Sequence, residues 1–307
     1  MLNETTPRSN VQPNAGGLAL RSEGKGAGMA DERSGDVASQ FTVGEVVGQV
    51  VTDGGFDYDP EFLFTNAPEP ELHGGLEGRL TEDGKLWTPY QCVLLRTPTQ
   101  TVLVDAGASA AMPSTGLLVN SLAAIGVSPS DIEVVVVTHA HVDHIGGLVE
   151  DGALLFPIAR HVMSRAEWST WTSEEVLSHL PDFLADPARA VLPRIADAGL
   201  IDLVDGETEV APRVHLVPAH GHTPGHSVVA VRSGGEELVL LGDSVLDELS
   251  LAHPEWVAAP DMDPEETVAT RLRLLDRAVA DSARVLGYHL PGIHRVERTP
   301  DGYRLAS

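Results

Sequence analysis

The stretch THAHVDHIGG, residues 138–147, places three histidines and an aspartate directly behind the four valines 134–137. A buried strand is predicted over Ile132–Val137, so the polar cluster falls where that strand ends. His139 and His141 are two residues apart, and an extended backbone turns both rings to the same side, where one metal ion takes both. Asp143 and His144 are adjacent and point differently, which suits a second ion beside the first. Asp143 has a plainer alternative, as the cap of a helix beginning near Ile145.

These four residues do not complete a site, because a zinc ion takes about four ligands and a two-metal hydrolytic centre roughly seven. Three further candidates lie where predicted strands end: His222 in PAHGHTPGH, Asp243 in LVLLGDS and His289 in VLGYHLPG. The carboxylate of Asp243 can bridge two ions. With a single cysteine, Cys92, in 307 residues, a thiolate cluster and an internal disulfide are both excluded, so the donors must be His and carboxylate. Cys92 itself sits in an apolar strand and reads as a packing residue.

Composition narrows the partners. The formal charge of −25, from 45 acidic against 20 basic residues, opposes a phosphate backbone, and no Lys/Arg cluster offsets it. Nucleic acid is therefore not expected as a substrate. No run approaches the roughly 18–20 apolar residues of a membrane span, and the first residues lack a basic-then-apolar signal layout. The sequence-level expectation is a cytoplasmic protein with a small-molecule substrate and no membrane partner.

Residues 1–38, rich in Gly, Ser, Asn and charge, read as a flexible N-terminal arm, with Met29 a second candidate start. A first strand is expected over 41–51, followed by a Pro-rich irregular connection through FDYDPEFLFTNAPEPELHGG. Two strands joined by the turn Thr97–Gln100 are expected in CVLLRTPTQTVLVDAG, and a helix in TGLLVNSLAAIGV ending at Gly126. ARHVMS, RVHLVPA, HSVVAVRS and ELVLLGD read as strands, DPARAVLPRIADAG and DPEETVATRLRLLDRAVADS as helices. This alternation is that of a layered α/β fold.

The ordered set H-x-H-x-D-H, GHTPGH, Asp and final His resembles the metallo-β-lactamase superfamily over about residues 41–307, with VDAG at 104–107 also in place. The resemblance implies an αββα sandwich of two mixed sheets flanked by helices, in a hydrolase domain over residues 39–307. His139, His141 and His222 would hold one metal, Asp143, His144 and His289 the second, with Asp243 between them. Asp105 resembles the family's aspartate that orients a ligand imidazole, and His226 the histidine that braces its turn. Two divalent ions, zinc foremost with Mn, Fe or Co fitting the same donors, would supply a bridging hydroxide at neutral pH. Asp143 and Asp243 are the catalytic candidates, orienting that hydroxide and passing on its proton.

The layout is nearest the lactonase and methyl parathion hydrolase-like branch, which implies cleavage of a small ester, lactone or related bond. Alternatives within the fold are a metal-dependent oxidoreductase and a phosphotriesterase, thioesterase or β-lactamase-type hydrolase. A homodimer is common in this branch. Two departures bear on the substrate: Leu246 stands where acyl-homoserine lactonases place a tyrosine, and HLPG replaces HLPFPG. Tyr288 is a candidate replacement donor, although its place beside His289 favours the opposite side of the strand. Phe62, Phe64, Trp168, Trp171 and Trp256 are candidates for an apolar pocket wall, with core packing the commoner role for such residues. His220 and His253 are loop histidines with a possible place in the pocket.

Overall fold

The computed structural model describes residues 39–306, so the arm predicted over 1–38 and the start at Met29 lie outside the described residues. Seven strands form the larger sheet: β1 Gln40–Val43, β2 Val46–Tyr58, β3 Leu86–Arg96, β4 Thr101–Val104, β5 Val134–Val136, β8 Arg160–Ser164 and β9 Ile201–Val204, in that spatial order. Between β5 and β8 the chain makes the small hairpin β6 Val149–Glu150 and β7 Ala153–Leu154. The second sheet has five strands, β10 Thr208–Ala211, β11 Val214–Pro218, β12 Ser227–Ser233, β13 Glu236–Leu240 and β14 Arg284–Leu286. A terminal hairpin follows, β15 Arg295–Arg298 with β16 Tyr303–Ala306.

Both sheets are mixed. The order β1 to β4 is antiparallel and β4, β5, β8 and β9 run parallel. In the second sheet only the β13–β14 pair is parallel. The valine run is uninterrupted because β5 is buried on both faces. Val134 and Val136 meet Val214, Val229 and Leu240 of the facing sheet, whereas Val135 and Val137 pack outward with Leu122, Leu192 and Ile195. On the far side, Val217, Val228 and Val285 pack under Leu274, Leu275 and Ala278 of the helix Pro264–Asp281. The layers are therefore helix, sheet, sheet, helix, as expected, and Cys92 is a fully buried core residue.

Three local readings are corrected. The single strand expected over 41–51 is a hairpin, because Gly44 takes φ +51° and reverses the chain between Val43 and Val46. The stretch expected to be irregular from Phe56 carries β2 through Tyr58 and then two short helices, Pro60–Leu63 and Glu69–Gly75. The helix around DPARAVLPRIADAG begins earlier, at Asp182, and runs through Pro187 and Pro193 to Asp197. The last long helix starts as expected: Asp263 accepts from Glu266 N at 3.0 Å with Pro264 in the first turn.

Candidate metal centre

Every ligand candidate lies where a strand hands over to a loop. Past β5, Asp105 accepts from Thr138 N and Thr138 Oγ1, both at 2.8 Å, which pins the chain as it leaves the sheet. His139 and His141 follow, and His141 precedes the short helix Val142–Ile145. Asp143 lies inside that helix, so its capping alternative is not the one adopted. His222 stands in the turn between β11 and β12, Asp243 just past β13 and His289 just past β14.

The chain brings all seven candidates together in two buried groups, His139, His141, His222 and Asp243, and Asp143, His144, Asp243 and His289. Within each group the donor atoms lie within 4.8 Å of one another, and Asp243 belongs to both. In the first, His141 Nδ1 is 3.1 Å from His139 Nε2 and 3.0 Å from His222 Nε2. In the second, His289 Nε2 is 3.4 Å from Asp143 Oδ2 and 3.3 Å from Asp243 Oδ2. His144 Nε2 and Asp243 Oδ1 stand 3.2 Å apart, both buried and neither hydrogen-bonded.

Buried polar atoms are normally hydrogen-bonded, and three imidazole nitrogens this close need a cation or protons among them. The groups therefore fit two metal ions. Outer partners fix the tautomers that leave ligand lone pairs inward. Asp105 Oδ2 takes His144 Nδ1 at 2.9 Å, Asp261 Oδ1 takes His222 Nδ1 at 2.7 Å, and the Pro89 carbonyl takes His289 Nδ1 at 3.1 Å. Asp105 thus has the role the resemblance implied. His226 braces the turn: its Nδ1 donates to the Ala219 carbonyl at 2.8 Å and its Nε2 accepts from Asp243 N at 3.1 Å. Burial holds that imidazole neutral, with its pKa pushed down to about 3.

The electrostatics suit the same reading. Burial, and then neighbouring imidazoles, keep His139 and His141 well below the usual range, hence neutral and ligand-ready. For Asp243 burial opposes ionisation, yet His289, His144 and His139 outweigh it and hold the carboxyl well down. His144 moves up despite its burial, because Asp243, Asp143 and Asp105 surround it. His222 also moves up, through its bond to Asp261 and the charge of Asp243. Without ions, protons on these two rings supply the positive charge that the carboxylates require.

Sequence reasoning did not single out Glu167, Asp261 or Asp53. Glu167 is fully buried and ties the two halves of the first group together. Its Oε1 accepts from Ala140 N at 2.9 Å, and its Oε2 from Thr223 Oγ1 at 2.7 Å and Gly225 N at 2.9 Å. Gly225 lies so close that a β-carbon there would sit 2.0 Å from Glu167 N, which explains the second glycine in GHTPGH. Glutamine at 167 must aim its NH2 at one of the two backbone N–H groups. Glu167→Gln is therefore expected to cost about 1–3 kcal/mol in a denaturant titration and to weaken metal binding by about tenfold in a chelator competition. Asp53 accepts from Ala108 N, Ser109 N and Leu118 N at 2.8, 3.1 and 3.0 Å, tying the loop after β4 to β2.

A cleft of about 720 Å³ opens over Asp143, Asp243, His141, His222 and His289. Its apolar wall is Phe56, Tyr58, Phe62, Met112 and Phe183, with Leu246 contributing and the rim carrying Asp57, Asp59, Asp182, Asp186 and Lys85. Of the aromatic residues proposed from the sequence, only Phe62 lines this cleft. Phe64 packs on Trp256 at 5.8 Å, Trp171 sits edge-on to His141 at 5.3 Å, and Trp168 packs against the outer core. His253 stacks on Trp256 at 3.9 Å, and neither it nor His220 lines the cleft. The Tyr288 hydroxyl donates to the Asp143 carbonyl, away from the cleft, which removes it as a substrate donor.

Comparison with known proteins points the same way. A model of the metallo-beta-lactamase superfamily matches residues 86–289. An N-acyl homoserine lactonase of Bacillus sp. is 29% identical over 190 residues, 55% of this chain and 68% of that protein. A probable metallo-hydrolase of Mycobacterium tuberculosis is 30% identical over 135 residues, 39% of each chain. Among solved structures, the dizinc quorum-quenching lactonase AidC, in complex with N-hexanoyl-L-homoserine as product, aligns with TM-score 0.78 and 25% identity, covering 88% of this chain and 98% of that one. The hydrolase AbOPH has the same fold, with TM-score 0.80 and 24% identity over 87% of this chain and 96% of that one.

Proposed function

This chain belongs to the metallo-beta-lactamase superfamily, and from that premise we propose that it hydrolyses a small, uncharged ester or lactone at a two-metal centre. The observation that carries the reading is the pair of buried ligand groups sharing Asp243 at the floor of an aromatic-walled cleft. His139, His141 and His222 would hold one ion and Asp143, His144 and His289 the other, with Asp243 available to both. Two divalent ions, zinc being the first choice for this donor set, would supply Lewis acidity and lower the pKa of a water toward neutrality.

The rest of the work falls to the side chains. Asp143 and Asp243 border the cleft floor, where their carboxylates orient the attacking water and receive its proton. Addition of the water oxygen to the acyl carbon and cleavage of the acyl–oxygen bond give a carboxylic acid and an alcohol, the departing oxygen taking up the proton. Phe56, Phe62 and Phe183 hold the apolar part of the substrate out of water. The rim sets the charge preference. Lys85 pairs with Asp59 and Arg189 with Asp186, and the rim still carries four carboxylates, Asp57, Asp59, Asp182 and Asp186, against the single cation Lys85, a balance that disfavours anionic phosphates, carboxylate-bearing β-lactams and glutathione thioesters. The lactonases among the relatives support the same substrate class.

A hydrolysis screen of metal-loaded protein tests the reading. Neutral lactones and aryl esters are expected to turn over at least about tenfold faster than anionic substrates, given like-charge repulsion of about 1–2 kcal/mol at the rim. Chelator-sensitive turnover confined to an anionic class would overturn it.

A further inference from the structure

The cleft has no hydroxyl at Leu246, yet it is not without a phenol. The chain has four tyrosines. Tyr303 bonds Asp276 beside the terminal hairpin, Tyr288 is turned onto the Asp143 carbonyl, and Tyr90 is fully buried in β3. Tyr58, the last residue of β2, remains, and it lines the cleft that opens over the ligands. Its ring is held by Phe62, stacked at 5.5 Å, and by Phe56, edge-on at 4.9 Å.

Its hydroxyl is held as well. Tyr58 Oη and Tyr90 Oη are 2.7 Å apart, close enough for either to donate, and Tyr90 Oη also donates to Met112 Sδ at 3.3 Å. A thioether is a weak acceptor, so when a substrate oxygen enters the cleft the Tyr90 proton turns from Met112 Sδ to the Tyr58 oxygen and the Tyr58 proton goes to the substrate. The Tyr90 ring in turn lies edge-on to His289 at 5.4 Å, fixing the pair relative to the ligand set. Burial, reinforced by the charge of Asp143, raises the Tyr58 phenol well above its ordinary value, so it stays a donor throughout the working pH range.

We propose that Tyr58 is a catalytic residue that donates a hydrogen bond to the substrate oxygen gaining charge as the acyl–oxygen bond breaks, with Tyr90 as its positioning residue. The inference rests on the hydrolase reading above. A preformed donor at a developing oxyanion acts most where that charge is greatest. It matters for an alkoxide leaving group and little for a nitrophenolate, which disperses its own charge.

The test compares Tyr58→Phe with wild type, both metal-loaded, on an alkyl ester or lactone and on a nitrophenyl ester of the same acyl group. The expected result is a kcat loss of about 100-fold on the alkyl leaving group and less than about threefold on nitrophenol, with KM and metal content unchanged. Tyr90→Phe is expected to show the same leaving-group pattern at about tenfold. Calorimetric affinity for the product hydroxy acid is expected to fall about fivefold in Tyr58→Phe. Equal losses on both leaving groups, or no loss, would overturn the proposal. A wild type inactive on every ester would instead sink the hydrolase reading.

Discussion

Asp243→Ala is expected to lower kcat/KM by about 1,000-fold and to leave no more than one tightly held ion per chain. Asp243 is the one residue in both ligand groups, 3.4 Å from His222 Nε2 and 3.3 Å from His289 Nε2 through Oδ2. On the proposed two-metal reading its loss would take a donor from each ion at once and leave a buried cluster of imidazoles with less negative charge. Electrophilic assistance worth several kcal/mol disappears, at about 1.4 kcal/mol per factor of ten. Elemental analysis beside steady-state kinetics checks both halves. Two retained ions with full turnover would remove Asp243 from the bridge.

Chelation is expected to abolish turnover and to lower the melting temperature by about 15 °C or more. Each ion held at about 1,000 times its dissociation constant contributes about 4 kcal/mol, and a chain of this size shifts by about 2–4 °C per kcal/mol. The effect has a pH sign. Because His144 and His222 are raised in the ion-free protein, binding ions must expel their protons, so metal affinity rises with pH and falls on acidification. Calorimetry of ion-free and reloaded protein at pH 6 and pH 8 reads both predictions. Equal melting temperatures with and without chelator would contradict them.

The seven candidate ligands that the fold gathers into two groups were legible because their residue types are costly to bury and each falls where an apolar run stops. Asp105 and His226 were legible only through the resemblance. Glu167 and Asp261 were not, for a physical reason. They act on backbone N–H groups or imidazoles 27 to 58 residues away, and in a chain with 45 acidic residues nothing local separates a buried carboxylate from a solvated one. The cleft wall was misread in the same region as the fold. The glycines and prolines around Phe56 suggest a loop, whereas β2 extends to Tyr58 through pairing with Leu86 to Pro89 of β3. That pairing brings Phe56 and Tyr58 to the cleft, and two of the tryptophans, Trp171 and Trp256, are fully absorbed by packing. Leu246 lines the cleft and offers no hydrogen-bond donor there.

The most direct test of the two-metal account is a titration of ion-free protein with zinc, following hydrolysis of a neutral lactone or ester at each addition. The account predicts that activity climbs to a plateau at two equivalents per chain and that a chelator reverses it. A plateau at one equivalent, or turnover indifferent to zinc, would contradict it.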